Sequence, residues 1–487
     1  MKSLSIYIIF IISVLTSCKK SFLEVPDQTS LNTGIYFSKQ SDFEQAANGM
    51  YSPLRDVYSN ANYFLGETRS DNSTYVFNSS DRSGSTFELL IDFLEDNTGG
   101  QIASKYSNDY VMIARANQIL SSIDKIAFDE TIKNNIKGQA LFLRAFLYFD
   151  LVQYFGAVPL HLEPAQSLQQ TALPKSSVDD IYKLITSDCE QAIQLLPERS
   201  GQEAGKPSKG TARMLLGNAY IVRKNWSAAE TVLKAVSGYQ LLPDYASVYD
   251  PGNKNNLESL FEIQYKEGAE GFSSNFFYAF IPTPITAAEL TAVTKIPEVF
   301  KPNGSFNTPT PDIIAAYEAG DKRREASIGN ILVSGRSLPY IKKYDHQHSV
   351  AGRTNDNFPV YRYSETLLFI AEALNEQAKT NEAFPFINQV RVRAGLPPLT
   401  GLSQTALREA IIKERRVELA FENKRWLDLV RTGTAENVMK AYGARVKATP
   451  TAYYFPAGIG PAPNSYTNIQ LLYPIPAGEV ALNPQLR

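Results

Sequence analysis

Leu216-Gly217-Asn218-Ala219-Tyr220, answered nine residues on by Ala229, is the stretch on which the fold turns. Around it, Ala212, Leu215, Leu216, Ala219 and Tyr220 recur at three- and four-residue spacing, the period of one helix face. Asn225-Trp226 turns the chain, and Ala229, Val232, Leu233 and Val236 form an answering stripe. Two stripes joined by a short turn predict a helical hairpin. Small residues at Gly217 and Ala219 let the two helices approach closely, and Tyr220 fills the space between them.

Working outward, the stretch matches the L-G-x2-Y…A pattern of the tetratricopeptide repeat. Ile370-Ala371, Ala383 and Ile387 repeat the positions, and Ala145…Tyr148 is a half-unit whose second helix is displaced by Gly156–Pro174. The fold class expected is therefore all-α: a tetratricopeptide-like helical repeat scaffold with long irregular loop regions packed on one side. Further helices are expected over Ser41–Tyr58, broken near Pro53, and over Ile102–Ile126, Thr131–Phe155 and Ser176–Leu196. In the last of these Ile181, Ile185, Cys189, Ala192 and Leu196 share a face, so Cys189 reads as a buried small hydrophobe. Trp226 and Trp426 fall in helical patterns and are expected in the core. Residues 66–101 and 240–360, and the proline-rich tail after Gly433, read as loops.

The chain has 487 residues, 44% of them hydrophobic and 20% charged, enough to build a large core. Lys plus Arg is 48 against 50 for Asp plus Glu, which gives no electrostatic case for nucleic acid. Two cysteines leave little scope for a disulfide framework. No G-x-S-x-G elbow occurs, and Gly201–Lys206 falls one residue short of a phosphate loop, with Pro207 in place of its hydroxyl. His346 and His348 lack a third ligand at a convincing spacing, so neither metal nor cofactor is expected. A carboxylate pair for glycoside hydrolysis would come from distant positions, and nothing singles one out.

What the loops do offer is aromatic and polar residues intermixed. A sugar ring has apolar faces and hydroxyl edges, and its site needs a flat aromatic surface flanked by fixed donors and acceptors. Arg69, Asp71, Asn72, Tyr75, Phe77 and Asn78 supply that mixture in the first loop, and Phe272, Asn275, Phe276 and Tyr278 in the second. These ten are the ligand-binding candidates; the competing reading is that their aromatics pin the loops to the scaffold.

At the N-terminus, Met1-Lys2 precedes an apolar run from Ile6 to Leu15 and then Thr16-Ser17-Cys18. The run is too short for a membrane span of about 20 residues and has the grammar of a secretion signal. The cysteine in last place resembles a bacterial lipobox. Residues 1–17 are therefore expected to be a signal peptide, Cys18 the lipid-bearing residue, and 18–40 a tether. A helical half over 41–240 and a second half over 241–487 follow, within one compact unit.

Further motifs extend along nearly the whole mature chain. They include Ala47-Asn48-Gly49-Met50-Tyr51, Ala114-Arg115-Ala116-Asn117-Gln118 and KGQALFLRAFLYFDLVQYFGAVPL over 137–160. Pro359-Val360-Tyr361-Arg362-Tyr363-Ser364-Glu365, Glu414-Arg415-Arg416-Val417-Glu418 and Arg425-Trp426-Leu427-Asp428-Leu429 continue the series. Together they resemble the SusD/RagB family of surface nutrient-binding lipoproteins. Glu414, Arg415, Arg416 and Glu418, on a helix beside Arg425, Asp428 and Arg431, suggest a buried or half-buried ion-pair network locking repeat to loop. The resemblance implies a non-catalytic protein on the outer membrane, facing the exterior. It also implies a glycan ligand and a SusC-like TonB-dependent transporter that the lipoprotein covers as a lid. Peptide capture by the same architecture, a hydrolase hidden in the loops, and a pure protein-binding scaffold are the competing readings.

Overall fold

The computed structural model describes residues 37–165, 167–268, 270–297 and 304–487; the signal segment and Cys18 lie outside the described residues. The longer helices are α1 Gln40–Met50, α2 Ser52–Asn60, α3 Gly100–Ser122, α4 Glu130–Phe155, α5 Val178–Leu195, α6 Lys209–Val222 and α7 Trp226–Lys234. In the second half come α8 Tyr363–Glu376, α9 Thr380–Arg393, α10 Gln404–Glu418 and, after the seven-residue α11 Arg425–Arg431, α12 Ala435–Ala448. None of the described helices is long and apolar enough to cross a membrane.

The helices start where side chains can satisfy their free N–H groups. Asp129 accepts from Ile132, Ser177 from Asp180, Ser208 from Thr211 and Ser403 from Ala406. The expected break near Pro53 takes the form of a new helix: the chain turns at Tyr51 and Pro53 sits in the first turn of α2, where its missing N–H costs nothing.

Consecutive helices pack as an array: α3 on α4, α4 on α5, α5 on α6, α6 on α7. Helix α7 then packs on α8, which packs on α9 and α10. The repeat units that the sequence scatters are thus neighbours in space, and the excursion over 240–360 leaves the array and returns to it. The half-unit at Ala145…Tyr148 finds its second helix in α5, beyond the intervening segment.

The excursion, expected as loop, is built of short pieces: the helices Phe276–Phe280, Ala287–Thr294, Pro311–Ala316 and Arg323–Ser327, and paired strands. Strands β1 Ser73–Thr74 and β3 Thr308–Pro309 pair, as do β2 Ser259–Ile263 and β6 Phe358–Arg362, and β4 Ile328–Val333 and β5 Arg336–Ile341, all antiparallel. Thr211 of α6 donates to Leu260 O at 2.7 Å, tying the β2–β6 ribbon to the scaffold. One apolar core contains residues from both halves, including Phe142, Leu215, Phe261, Leu368 and Trp426. Trp226 packs against its edge. Cys189 is fully buried within it.

Two loop expectations need correction. The tail after Gly433 begins with the 14-residue helix α12, whose Ala435, Met439, Tyr442 and Val446 point inward; the prolines begin only at Pro450. Residues 66–101 contain a short helix, Ser85–Ile91, before α3 starts.

The α6–α7 approach depends on Gly217: a Cβ there would lie 2.3 Å from Leu233 Cδ2. Gly217→Ala overpacks this contact and is expected to destabilise the protein by about 1–3 kcal/mol, read as a lower urea midpoint with unchanged helical circular dichroism before the transition.

Candidate ligand-binding face

Six of the ten candidates are buried, and apart from Arg69 Nε their polar groups are held by the protein. Arg69 is fully buried between the rings of Phe93 and Tyr473, with its guanidinium 4.3 and 4.4 Å from their centroids; it pairs with Glu95 and donates to Gln470 O at 2.7 Å. Asp71 takes Arg425 at 2.8 Å and Arg416 at 2.9 Å. Burial pushes its carboxyl up, but Arg425 and then Arg416 pull harder and hold it below the usual range. Asn72 donates to Glu67 Oε1 at 3.0 Å and accepts from Arg416 Nε at 2.9 Å. Tyr75 donates to Asp92 at 3.2 Å. Phe276 lies among Tyr265, Tyr344 and Phe358, with ring centroids 5.1–5.3 Å away. Tyr278 pairs with His348 Nε2 at 2.7 Å. The loop-pinning alternative describes these six: what reads as a mixture suited to a sugar is also what a buried joint between loop and scaffold requires.

The ion-pair network runs through the same joint. Arg362 binds Glu258, Glu418 and Glu422 at 2.7–2.8 Å, and Arg415 bridges Glu365 and Asp428 at 3.1 and 3.0 Å. Burial raises the Asp428 carboxyl, yet Arg415 and Arg431 outweigh it and the group settles at about 2.

Four candidates reach the surface. Phe77 is half-buried, stacked on Phe455 at 5.6 Å and covered by the Arg82 guanidinium at 4.2 Å, so neighbours already engage its ring. Asn78, beside it, accepts from Ser80 N. Phe272 is 44% exposed, with the Arg55 guanidinium 4.6 Å from its ring centroid. Asn275 is half-buried, and its Oδ1 has no partner in the protein.

The backbone around Phe272 is firmly placed. Phe272 O accepts from Lys266 N at 2.8 Å, and Ser274 and Thr354 exchange backbone hydrogen bonds at 2.9 and 2.7 Å. Tyr265 donates to Arg55 O at 2.8 Å, fixing the residue that flanks the ring. The result is an exposed aromatic ring with a guanidinium beside it. Such a group can stack on an apolar face and donate to hydroxyls at its edge. Sequence reasoning missed Arg55 and Arg82, because each reaches its ring across a contact that periodicity does not encode.

The first and second loop regions do meet. Strand β1 pairs with β3, Val76 N donates to Ser305 O, and Ser305 N donates to Ile281 O. Val76, Phe277, Tyr278 and Tyr454 share one small apolar cluster. The Gly201–Lys206 turn lines a cleft of about 250 Å³ with Arg199, Tyr239 and Glu262, and Lys206 is paired with Glu203 at 2.7 Å. His348 Nδ1 donates to His346 O, which leaves Nε2 as the acceptor for Tyr278, and His346 pairs with Asp356. Among the described residues no group of three or more side chains is placed to hold a metal ion.

Comparison with known proteins follows the same outline. Residues 334–487 match the SusD family model, and residues 21–221 match one described as starch-binding, associating with the outer membrane. The chain belongs to the SusD/RagB family. Over 98% of its length it is 29% identical to SusD-like protein P2 of Formosa agariphila, covering 98% of that protein. A laminarin-binding SusD-like protein of known structure is 26% identical, with a TM-score of 0.73 over 92% of this chain and 98% of the other. A SusD homologue from Bacteroides thetaiotaomicron gives a TM-score of 0.78 at 22% identity, over 94% of this chain and 98% of that one, a likeness of fold.

Two outcomes separate the buried candidates from the exposed one. Asp71→Ala leaves Arg425 and Arg416 buried without their partner and should cost about 3–5 kcal/mol in equilibrium unfolding, whereas Phe272→Ala should change stability by less than about 1 kcal/mol. Asp428 is lowered from 3.8 to about 2, so its contribution is complete above about pH 4 and is lost as the pH falls toward 2. Asp428→Asn should therefore flatten that part of a plot of unfolding free energy against pH, by on the order of 2 kcal/mol.

Proposed function

We propose that this chain is a non-catalytic, glycan-binding lipoprotein of the outer membrane. In this reading it captures an oligo- or polysaccharide at the cell exterior and passes it to a SusC-like TonB-dependent transporter. The observation that carries the reading is similarity along almost the entire chain to SusD-like proteins, one of them laminarin-binding. The exposed Phe272 beside Arg55 supports it as the sugar-stacking position. The half-buried Phe77 and Asn78 are proposed as a neighbouring contact, one in which Arg82 would have to move aside from the ring.

The anchor rests on the sequence. An acyl chain contributes roughly 0.8 kcal/mol per buried methylene, and two or more chains on Cys18 would hold the protein stably at a membrane while leaving the folded part in water. Cys18→Ala is expected to move the protein from the membrane fraction to the soluble one in fractionated cells.

Binding is tested with the soluble chain from residue 19 onward, by calorimetry against a panel of neutral oligosaccharides that includes laminarin fragments, with chromatography of each mixture for products. Saturable binding without turnover is expected. Phe272→Ala should weaken it about tenfold or more, equivalent to about 1.4 kcal/mol, at an unchanged melting temperature. Product formation would overturn the non-catalytic reading, and wild-type affinity in the variant would remove Phe272 from the site.

A further inference from the structure

The Gly201–Lys206 turn falls short of a phosphate loop and plays no part at Phe272, yet it lines a cleft of about 250 Å³. The charged residues of that lining are Arg199, Lys206, Glu203 and Glu262, two of each sign, and Lys206 is paired with Glu203 at 2.7 Å. Charges balanced in this way favour neither a phosphate nor a cation. Tyr239 supplies an aromatic wall, and the Arg199 guanidinium lies 5.5 Å from its ring centroid. The cleft is smaller than the roughly 300–1,000 Å³ of sites that enclose drug-sized ligands, a size for one ring of a chain rather than the chain itself.

The walls are fixed. Gln202 donates to Asn135 Oδ1 of α4 at 2.9 Å and to Pro207 O at 2.6 Å, strapping the turn to the scaffold. The Tyr239 hydroxyl pairs with Ser208 Oγ at 2.7 Å, and the ring lies against α6 at Gly210, where a Cβ would come within 2.6 Å of it. Arg199 Nη2 donates to the carbonyls of Asn255 and Asn256 at 3.1 and 3.2 Å. Its Nε and Nη1 have no partner among the described residues, and both stay open to solvent. A half-buried ring beside a guanidinium with donors to spare repeats the pairing of Phe272 with Arg55 at 4.6 Å. Such a pair offers stacking and hydrogen bonding to a neutral ring that carries hydroxyls.

The two positions are connected. A smaller hollow of about 40 Å³ shares Gly205, Phe261 and Glu262 with the cleft, and Arg55, which flanks the Phe272 ring, lines it as well. Gly205 stands where the hollows join. Its φ is +85°, and a Cβ there would lie 2.8 Å from Gln264 Cγ, so a larger residue would close the join. We propose that the cleft beside Tyr239 is a second sugar subsite, and that one neutral polysaccharide chain lies across Phe272, passes Arg55 and Gly205, and sets a further ring against Tyr239. The inference rests on the glycan-capture reading and adds a ligand class to it: a chain long enough to reach both rings, not a mono- or disaccharide.

The test compares laminaribiose with whole laminarin by calorimetry on the soluble chain from residue 19 onward. Tyr239→Ala removes the aromatic wall. Ala204→Trp, at an exposed residue of the lining, fills the cleft and leaves every hydrogen bond named above in place. Each variant is expected to weaken laminarin about tenfold and to leave laminaribiose, held at Phe272, within about twofold, with the melting temperature of Ala204→Trp unchanged. Phe272→Ala should weaken both ligands. Laminarin affinity that stays at the wild-type value in either variant would overturn the subsite, while laminaribiose binding would keep the capture reading standing. Silence of the wild-type chain toward both ligands would overturn the subsite and count against glycan capture as well.

Discussion

Glu418 is fully buried, and its carboxylate is met by three guanidiniums: Arg362 at 2.8 Å, Arg393 at 2.5 Å and Arg323 at 3.0 Å. Taking one carboxylate out of water costs several kcal/mol, and only close, well-directed partners offset that. Burial works against the charge, but Arg393, Arg362 and Arg323 together keep the group ionised well below the usual range. The partners come from different places. Arg393 ends α9, Arg362 ends β6, and Arg323 lies in the excursion. The pairing can be complete only when repeat, ribbon and excursion are all docked. That requirement makes the irregular part of the chain as determined as the helices.

The same logic explains the fate of the polar loop residues. Residues 66–76 read as a solvent-facing mixture, yet they are packed between α11, the tail and the excursion. Asp71 answers Arg425 and Arg416; Arg69 answers Glu95 beneath the rings of Phe93 and Tyr473. Tyr245 and Tyr249 lie under the guanidinium of Arg362 and the ammonium of Lys343, which lets aromatic faces share in holding buried positive charge. Aromatic and charged residues in one segment are therefore ambiguous in this chain. They describe a binding surface and a buried electrostatic joint equally well.

What remains at the surface is sparse: Phe272 with Arg55, and Phe77 with Arg82. In both, an arginine already occupies the neighbourhood of the ring, so stacking and hydrogen bonding are available within a few ångströms. The backbone at Phe272 is held in place by the Ser274–Thr354 bridge two residues on.

The amino-acid sequence by itself determined the helical repeat, because the spacing of small and apolar residues around Gly217 and Ala371 is a local property of one hairpin. It also determined the burial of Cys189, the turn near Pro53, and the presence of an ion-pair network among Glu414–Glu418 and Arg425–Arg431. It misread α12, where the prolines beyond Thr449 drew attention from the stripe before them. Tertiary structure alone decided which of the ten loop candidates face water. Burial there depends on partners hundreds of residues away, as with Asp71 and Arg425, and no periodicity within either segment encodes such a meeting.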